Sequence, residues 1–176
     1  AVVQYELQSN PTSIKTKRSF YSKKLITISG KQFSLDQIEH GILRRNMAKY
    51  SFGYIRKIIT SNNIRSHMVD QLDPRIHYAL NCGAKSCPPI RFYSETNIGE
   101  ELDMATKSYL DTECRLENGK IYIPILFKWF KGDFGGKRGV YSFLERYKVI
   151  AEGSNHAIRY NPYNWNLSLK NYSELK

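Results

Sequence analysis

The chain has 176 residues, of which 41% are hydrophobic, so it is long and apolar enough to bury one sizeable core and is too apolar for a disordered protein. Its 27 lysine and arginine residues outnumber 16 aspartate and glutamate residues, which gives a formal net charge of +11 and favours anionic partners. The basic residues are dispersed, however, and the chain has no zinc-finger spacing, Arg/Gly-rich tail or RNA-recognition motif, so nucleic-acid binding is disfavoured.

The termini and the cysteines bear on the compartment. The chain opens at Ala1 with neither an initiator methionine nor a signal-peptide pattern, so it is a processed mature protein or an excised fragment. No stretch approaches the roughly 20 apolar residues of a transmembrane helix. Three cysteines cannot all pair within the chain, and a secreted disulfide scaffold carries more of them. The cysteine usage fits reduced thiols or one redox-sensitive pair, which favours a soluble, intracellular protein. The sequence itself names neither the compartment nor the oligomeric state.

The first predicted element is a β-hairpin. Alternating apolar positions over residues 24–33 run up to a turn at Ser29 and Gly30 and then return. Ser34 and Gln37 have the spacing of a capping box, in which each residue satisfies a backbone N–H of the other. The sequence therefore predicts two antiparallel strands followed directly by a helix that begins at Ser34.

The helix after Ser34 places an acidic side chain beside its buried face. Leu35, Ile38 and Ile42 form the apolar stripe, and Glu39 lies at the edge of that stripe. His40 should point about 100° away from Glu39, towards solvent or a polar contact.

The remaining elements mix helices with short strands. Apolar spacing predicts helices over residues 54–59, 94–110 and 140–147, and alternation predicts a strand over 120–127. Residues 158–165 indicate a short strand followed by a turn. Proline interrupts the first of these strands and confines it to an edge or ends it. Because βαβ alternation is missing, we predict an α+β fold in which residues 1–176 form one compact domain, with helices packed on a small, mainly antiparallel sheet.

Residues 74–90 bring a base and two nucleophiles together. His77 precedes Cys82 by five residues, and Cys87 follows five residues later. A thiol attacks only as the thiolate, which needs a basic or cationic neighbour. A bend at residues 81–83 would bring His77 back towards Cys82 or Cys87.

Two further groups would complete such a site. A Cys–His pair usually needs a third side chain that orients the imidazole, and Glu39 is the candidate. Backbone N–H groups of the turn from Gly83 to Ser86 would stabilise an oxyanion.

Structural interpretations of the same residues stay open. A histidine beside an apolar run is commonly a core residue with satisfied hydrogen bonds, and a buried cysteine commonly packs as a small hydrophobe. Glu39 could cap a loop or pair with Arg44.

A structural zinc site is another interpretation. Its ligands would be His77, Cys82 and Cys87, with His67 or Cys114 as the fourth. No second cysteine pair completes a known zinc pattern, so we predict neither a metal nor a cofactor. The gap of four residues between the cysteines also differs from that of Cys-x-x-Cys oxidoreductases.

Several blocks of the sequence carry a family resemblance. The two longest are residues 34–44 (SLDQIEHGILR) and 73–89 (DPRIHYALNCGAKSCPP). Residues 93–110, 127–135 (FKWFKGDFG) and 160–165 (YNPYNW) extend the similarity over nearly the whole chain. Together they resemble the domain-of-unknown-function family 547 (DUF547).

The resemblance implies a papain-like or transglutaminase-like thiol enzyme with a Cys-His-Glu set, in a family without a settled activity. On this chain the set is Cys82 or Cys87, His77 and Glu39. Plant members carry serine where Cys87 stands, which favours Cys82 as the nucleophile. Members usually have an aromatic and Asn-rich helix before the hairpin, so the resemblance implies that this chain keeps only its last turn, at Ala1.

The sequence thus predicts a thiol-dependent acyl-transfer hydrolase, a cysteine peptidase or amidase. Cys82 would attack a peptide or amide carbonyl, with His77 as general base and then acid. The alternative is a non-catalytic module of the same fold that binds a peptide, a glutathione-like thiol or an anion. A His77 within hydrogen-bond reach of a cysteine sulfur, with Glu39 on its other ring nitrogen, favours the enzyme. A His77 buried behind apolar side chains with no thiol nearby favours the module.

Overall fold

The computed structural model describes residues 20–168. In chain order its elements are β1 (Lys24–Ile28), β2 (Lys31–Ser34), a π-helix (Gln37–Leu43), α1 (Asn62–Arg65), a 3₁₀-helix (Pro74–Tyr78), α2 (Ile98–Glu113), β3 (Arg115–Glu117), β4 (Lys120–Ile123), α3 (Leu126–Trp129), α4 (Gly136–Arg146) and β5 (Ala157–Tyr160). The predicted α+β class is confirmed. The extent of the domain over all 176 residues stays a prediction, and the helix remnant expected at Ala1 lies outside the described residues.

The strands of residues 20–168 are divided between two small sheets. β1 and β2 form an antiparallel hairpin, and β3, β4 and β5 form a three-stranded sheet in which β3–β4 is antiparallel and β4–β5 is parallel. The hairpin turn has positive φ at both Ser29 (47°) and Gly30 (72°), as a tight turn matched to the strand twist requires. The hairpin predicted from the alternation is therefore confirmed.

The capping box is also confirmed, but the helix that it opens is wound more loosely than expected. Ser34 N donates to Gln37 Oε1 at 3.0 Å, and Gln37 N donates to Ser34 Oγ at 3.1 Å. Arg44 N then donates to the carbonyl oxygen of Glu39 at 2.8 Å, a bond that spans five residues. Such π-helical turns are rare and often occur at functional sites.

The helix predicted over residues 54–59 is wrong. This stretch is extended, and Arg56 forms an isolated antiparallel bridge with Met47. The backbone groups find partners across the chain, so the local apolar spacing does not decide the conformation. Ser61, just after this stretch, begins the short helix α1, because its Oγ accepts from Ile64 N at 3.3 Å.

A single large cluster of apolar side chains packs α2, β4 and α4 together. Leu102, Ala105 and Tyr109 face inward from α2 as their spacing predicts, whereas Ile98, the first residue of the same spacing, is exposed. β4 ends just before Pro124. The cluster consists of Tyr78, Tyr109, Leu110, Ile121, Ile123, Leu126, Phe127, Phe134, Val140, Phe143, Leu144, Tyr147 and Ile150. Tyr78, the last residue of the 3₁₀-helix, lies inside this cluster. The residue before it, His77, is therefore held at the edge of the core. Over residues 20–168, no helix combines the length and hydropathy of a transmembrane span.

Candidate functional site

A cavity of about 580 Å³ collects the predicted reactive side chains. Glu39, His77, Cys82 and Cys87 all line it, together with aromatic rings that include Tyr163. Its volume is that of a pocket for a small molecule or a few residues of a peptide. The four residues predicted as catalytic from the sequence therefore share one cavity wall.

His77 is fixed by a ring stack and by a carboxylate. Its side chain is 1% exposed, and its ring stacks on Phe130 with the centroids 3.9 Å apart. His77 Nε2 lies 2.9 Å from Asp133 Oδ2. Because a carboxylate only accepts, Nε2 carries the proton and Nδ1 keeps its lone pair. Burial lowers the pKa of His77 despite the opposing effect of Asp133, so the ring is neutral at pH 7.

Asp133 is in turn held by a buried arginine. Arg44 Nε donates to Asp133 Oδ2 at 2.5 Å, and Arg44 Nη2 donates to Oδ1 at 3.1 Å. Both side chains are 0% exposed. Burial alone would raise the pKa of Asp133, but the hydrogen bonds from His77 and Arg44 together lower it below its usual range. The carboxylate is therefore ionised and paired.

Arg44 also reaches a second histidine. Its Nη1 donates to His40 Nδ1 at 2.8 Å, and its guanidinium lies 4.6 Å from the centroid of the Phe130 ring. Burial, and then the charge of Arg44, lower the pKa of His40 to about 3. His40 therefore takes the polar contact that was one of its two expected environments. We call the chain of contacts His40–Arg44–Asp133–His77 the buried network.

A crossing of two glycines sets the position of Asp133. Gly132 N donates to the carbonyl oxygen of Phe52 at 2.7 Å, and a Cβ on Gly132 would collide with the backbone of Gly53. Gly53 has φ +80°, and a Cβ there would collide with Asp133. Only glycine allows the two backbones to approach this closely.

Glu39 does not make the contact that was predicted for it. The carboxylate on His77 is Asp133, whereas Glu39 Oε1 lies 3.6 Å from His40 Nδ1. The Glu39 side chain is 31% exposed towards the cavity, and no donor in the described part of the chain hydrogen-bonds its carboxylate. Burial raises the pKa of Glu39 to about 7, against the opposing charges of Arg44 and Lys49.

The two cysteines form a contact pair. Cys82 Sγ lies 2.9 Å from Cys87 Sγ, and Cys82 N donates to Cys87 Sγ at 3.1 Å. The hydroxyl of Tyr163 lies 3.2 Å from Cys87 Sγ and 3.6 Å from Cys82 Sγ. We call Cys82 and Cys87 the thiol pair.

The donors around the thiol pair favour ionisation of Cys87. The hydrogen bond from the Cys82 thiol, assisted by Tyr163, lowers the pKa of Cys87 against the effect of burial. The same bond raises the pKa of Cys82. Cys114 lies elsewhere, against the core cluster, and burial raises its pKa to about 12. The electrostatics thus favour Cys87 as the thiolate, where the resemblance favoured Cys82.

The predicted contact between His77 and a cysteine sulfur and the predicted oxyanion donors are both missing among the described residues. No hydrogen bond joins His77 to either sulfur, although all three side chains line the same cavity. Gly83 N donates to Asn81 Oδ1 at 2.6 Å, and Ser86 N donates to the carbonyl oxygen of Asn164 at 3.3 Å. Neither N–H is therefore available as an oxyanion donor, because local and long-range acceptors already occupy both.

The zinc ligand set is not assembled. Within residues 20–168, no three His, Cys, Asp or Glu side chains converge as metal ligands do. His67 Nδ1 contacts the carbonyl oxygen of Asn63 at 2.8 Å, and its ring packs on Phe33. Cys114 packs on the core, away from the thiol pair.

Sequence reasoning missed three residues of the site. Asp133 lies in a Gly-rich segment where aspartate usually signals a turn, and Arg44 stands beside Arg45 in what resembles a solvated basic run. Tyr163 lies in the tail of residues 158–165, whose pattern indicates a strand and a turn but no part in a site. The spacing from His40 to Arg44 was one available signal, because residues four apart lie on one helix face.

Comparison with known proteins gives one finding. A family model described as "Protein of unknown function, DUF547" matches residues 1–110, which is more than half of the chain. No curated protein and no solved structure matches. The matched range holds the thiol pair, His77, Glu39 and Arg44, whereas Asp133 and Tyr163 lie beyond it. The chain therefore belongs to the DUF547 family.

Proposed function

We propose that this protein is a thiol-dependent acyl-transfer hydrolase, a papain-like or transglutaminase-like peptidase or amidase. Cys87 is the nucleophile, His77 is the general base, and Asp133 orients His77. One observation carries the proposal: a cysteine whose sulfur receives several donors shares a cavity with a neutral histidine whose Nε2 is held by a buried carboxylate. Cys82 supports the proposal as the thiol that stabilises the Cys87 thiolate.

The histidine tautomer suits this role. Because Asp133 holds the Nε2 proton, Nδ1 is the ring nitrogen that can accept a proton from a thiol or from water. The ionised Asp133 then stabilises the imidazolium that forms. Hydrogen bonds between catalytic groups are often long before substrate binds, so we expect the contact from Nδ1 to the sulfur to form in the substrate complex.

The proposed acyl transfer proceeds in two half-reactions, in which Cys87 and His77 account for every bond and proton. His77 Nδ1 accepts the Cys87 thiol proton as the sulfur attacks the carbonyl carbon, which makes the imidazolium. Collapse of the tetrahedral intermediate then expels the amine, which takes that proton from His77. Water then attacks the thioester, His77 accepts a proton from that water, and the Cys87 thiolate leaves. Glu39 faces the same cavity with a pKa near neutrality, so we assign it a contact with the substrate or with the attacking water.

Labelling and turnover test the proposal together. We expect iodoacetamide at pH 7 to modify Cys87 first, as identified by peptide mapping, and Cys87→Ser to abolish this labelling. Cys114→Ser is the matched control, because its pKa is raised to about 12 and its loss should leave labelling intact.

Turnover is then measured on a panel of fluorogenic peptide amides. We expect Cys87→Ser to abolish hydrolysis, and His77→Gln to lower kcat by at least about 100-fold while the protein stays folded. Hydrolysis that survives in Cys87→Ser would disprove the assignment.

A second candidate function is the non-catalytic binding module. The observation in its favour is that His77 is buried against Phe130 and Asp133 and is hydrogen-bonded to neither sulfur. In that case glutathione or a peptide should raise the Tm of the wild type and be recovered chemically unchanged, with no amide of the panel hydrolysed.

A further inference from the structure

We propose that Cys82 and Cys87 are an oxidation site at the cavity wall: a hydroperoxide oxidises Cys87, and Cys82 then closes a reversible disulfide with it. The formation of this disulfide is independent of the hydrolase function. Its consequence, loss of the nucleophile on oxidation, rests on the proposed function.

The geometry of the thiol pair is close to that of a disulfide. The two sulfurs are 2.9 Å apart, and an S–S bond measures about 2.05 Å, so closure needs a relative movement of only about 0.9 Å. Gly83, with φ 89°, allows the chain to fold back between the two cysteines. Both cysteines line the cavity, which gives a small oxidant a route to them.

The reaction requires one reactive thiolate and one resolving thiol, and the surroundings of the two sulfurs differ accordingly. Cys87 receives hydrogen bonds from Cys82 N and from the Tyr163 hydroxyl, both of which stabilise a thiolate. Thiolates, rather than thiols, react with peroxides. Cys82 keeps its proton and remains in contact, which is the position of a resolving cysteine. Cys114 contacts neither of them and packs on the core.

Each step conserves atoms and electrons. The Cys87 thiolate attacks one oxygen of hydrogen peroxide, the O–O bond breaks, and hydroxide leaves and is protonated to water, so that Cys87 becomes a sulfenic acid. The Cys82 sulfur then attacks the sulfenic sulfur, the S–O bond breaks, and hydroxide leaves with the proton of Cys82 as a second water. Overall, two thiols are oxidised to one disulfide and one peroxide is reduced to two waters.

Intact-mass analysis of the full chain tests the inference without any substrate. After one equivalent of hydrogen peroxide, we expect the wild type to lose two hydrogen atoms, to retain one alkylatable thiol on Cys114, and to recover fully with dithiothreitol. Reaction at Cys87 should be at least about tenfold faster than at Cys114. A mapped disulfide that includes Cys114, or two cavity cysteines that both stay alkylatable, would overturn the inference.

Two serine variants provide the comparison. Cys82→Ser should stop at the sulfenic acid, which dimedone traps, whereas Cys114→Ser should behave as the wild type does. If both variants accumulate the same dimedone adduct, Cys82 is not the resolving thiol and the inference fails. A glutathione redox titration of the unsubstituted protein gives a second measurement that does not depend on the folding of any variant.

The two proposals fail separately. If the disulfide forms but the protein hydrolyses no amide, the oxidation site is supported and only its proposed effect on turnover is withdrawn. Hydrolysis that persists at full rate after stoichiometric disulfide formation would contradict Cys87 as the nucleophile.

Discussion

The buried network and the thiol pair differ in how completely their polar groups are compensated. In the network, Asp133 is ionised and accepts from both Arg44 and His77, and Arg44 also satisfies His40. At the cavity face, Glu39 has no hydrogen-bond donor in the described part of the chain, and the thiol pair shares a single proton between two sulfurs when Cys87 ionises.

This difference separates positioning from reactivity. A compensated ion pair in the interior is fixed, because moving either partner leaves an unpaired buried charge. An acidic group that is enclosed but uncompensated has a pKa displaced towards neutrality and can exchange protons there. The network therefore holds His77 in place as the base, while Glu39 and the thiol pair are the cavity-facing groups whose protons are less tightly held.

The largest expected effect follows from breaking the network. Asp133→Ala leaves Arg44 buried without its counter-ion, so we expect the free energy of unfolding to fall by about 3–5 kcal/mol, measured by urea denaturation at pH 7. Asp111→Ala is the control, because Asp111 pairs with Lys107 at the surface and should cost less than about 1 kcal/mol. Equal losses in the two variants would show that the network is not the stabilising element.

Acidification should act on the two regions with opposite signs. The pKa of His40 is lowered in the folded state, so the unfolded state takes up the proton first and stability falls as pH drops below about 6.5. The pKa of Glu39 is raised, so the folded state takes up the proton first and stability rises as pH drops through 7.

Unfolding free energies at pH 7 and pH 5 measure both effects as differences from the wild type. His40→Asn should remove about 2 kcal/mol of the acid-induced loss. Glu39→Gln should make that loss steeper, because it removes the group that opposes it. Changes of the same sign in the two variants would contradict the comparison.

The smallest effect concerns a single donor at the thiol pair. Tyr163→Phe removes the hydroxyl from Cys87 Sγ, so we expect the rate of iodoacetamide labelling at pH 6 to fall about tenfold, since a hydrogen bond to a charged acceptor contributes about 1.5 kcal/mol. Tyr109→Phe is the matched control: its hydroxyl donates to the nearby Ser86 carbonyl and not to a sulfur. A slower rate in both variants would point to altered packing instead.

Local features of the fold were predictable from the sequence. The Ser29–Gly30 turn, the Ser34–Gln37 capping box and the inward face of α2 each depend on residues within one or two turns of one another. The π-helical winding was not predictable, because the spacing of Ile38 and Ile42 fits an ordinary helix equally well. Arg44, the residue that ends this helix, binds Asp133, which lies 89 residues further along the chain.

The candidate site was predictable in its reactive half and not in its supporting half. His77, Cys82 and Cys87 stand in one short segment, and Glu39 lies in a helix with recognisable start signals. Arg44 and Arg45 are adjacent and identical in type, so the sequence does not show which of them forms an ion pair. In the structure it is Arg44 that pairs with Asp133. That the carboxylate on His77 is Asp133 and not Glu39 depends on the path of the chain between α3 and α4, which no local pattern specifies.

The contacts of Asp133 also bear on the order of folding. Asp133 lies 89 residues from Arg44 and 56 residues from His77, so large loops must close before these side chains meet. Hairpins and helices form on far shorter timescales than contacts of such high sequence separation. We therefore expect the site to assemble among the last events of folding, so that a collapsed intermediate still has a solvated Arg44 and an unheld His77. In such an intermediate the cysteines are present before Asp133 holds His77. The protein would therefore react with electrophiles before it could hydrolyse a substrate.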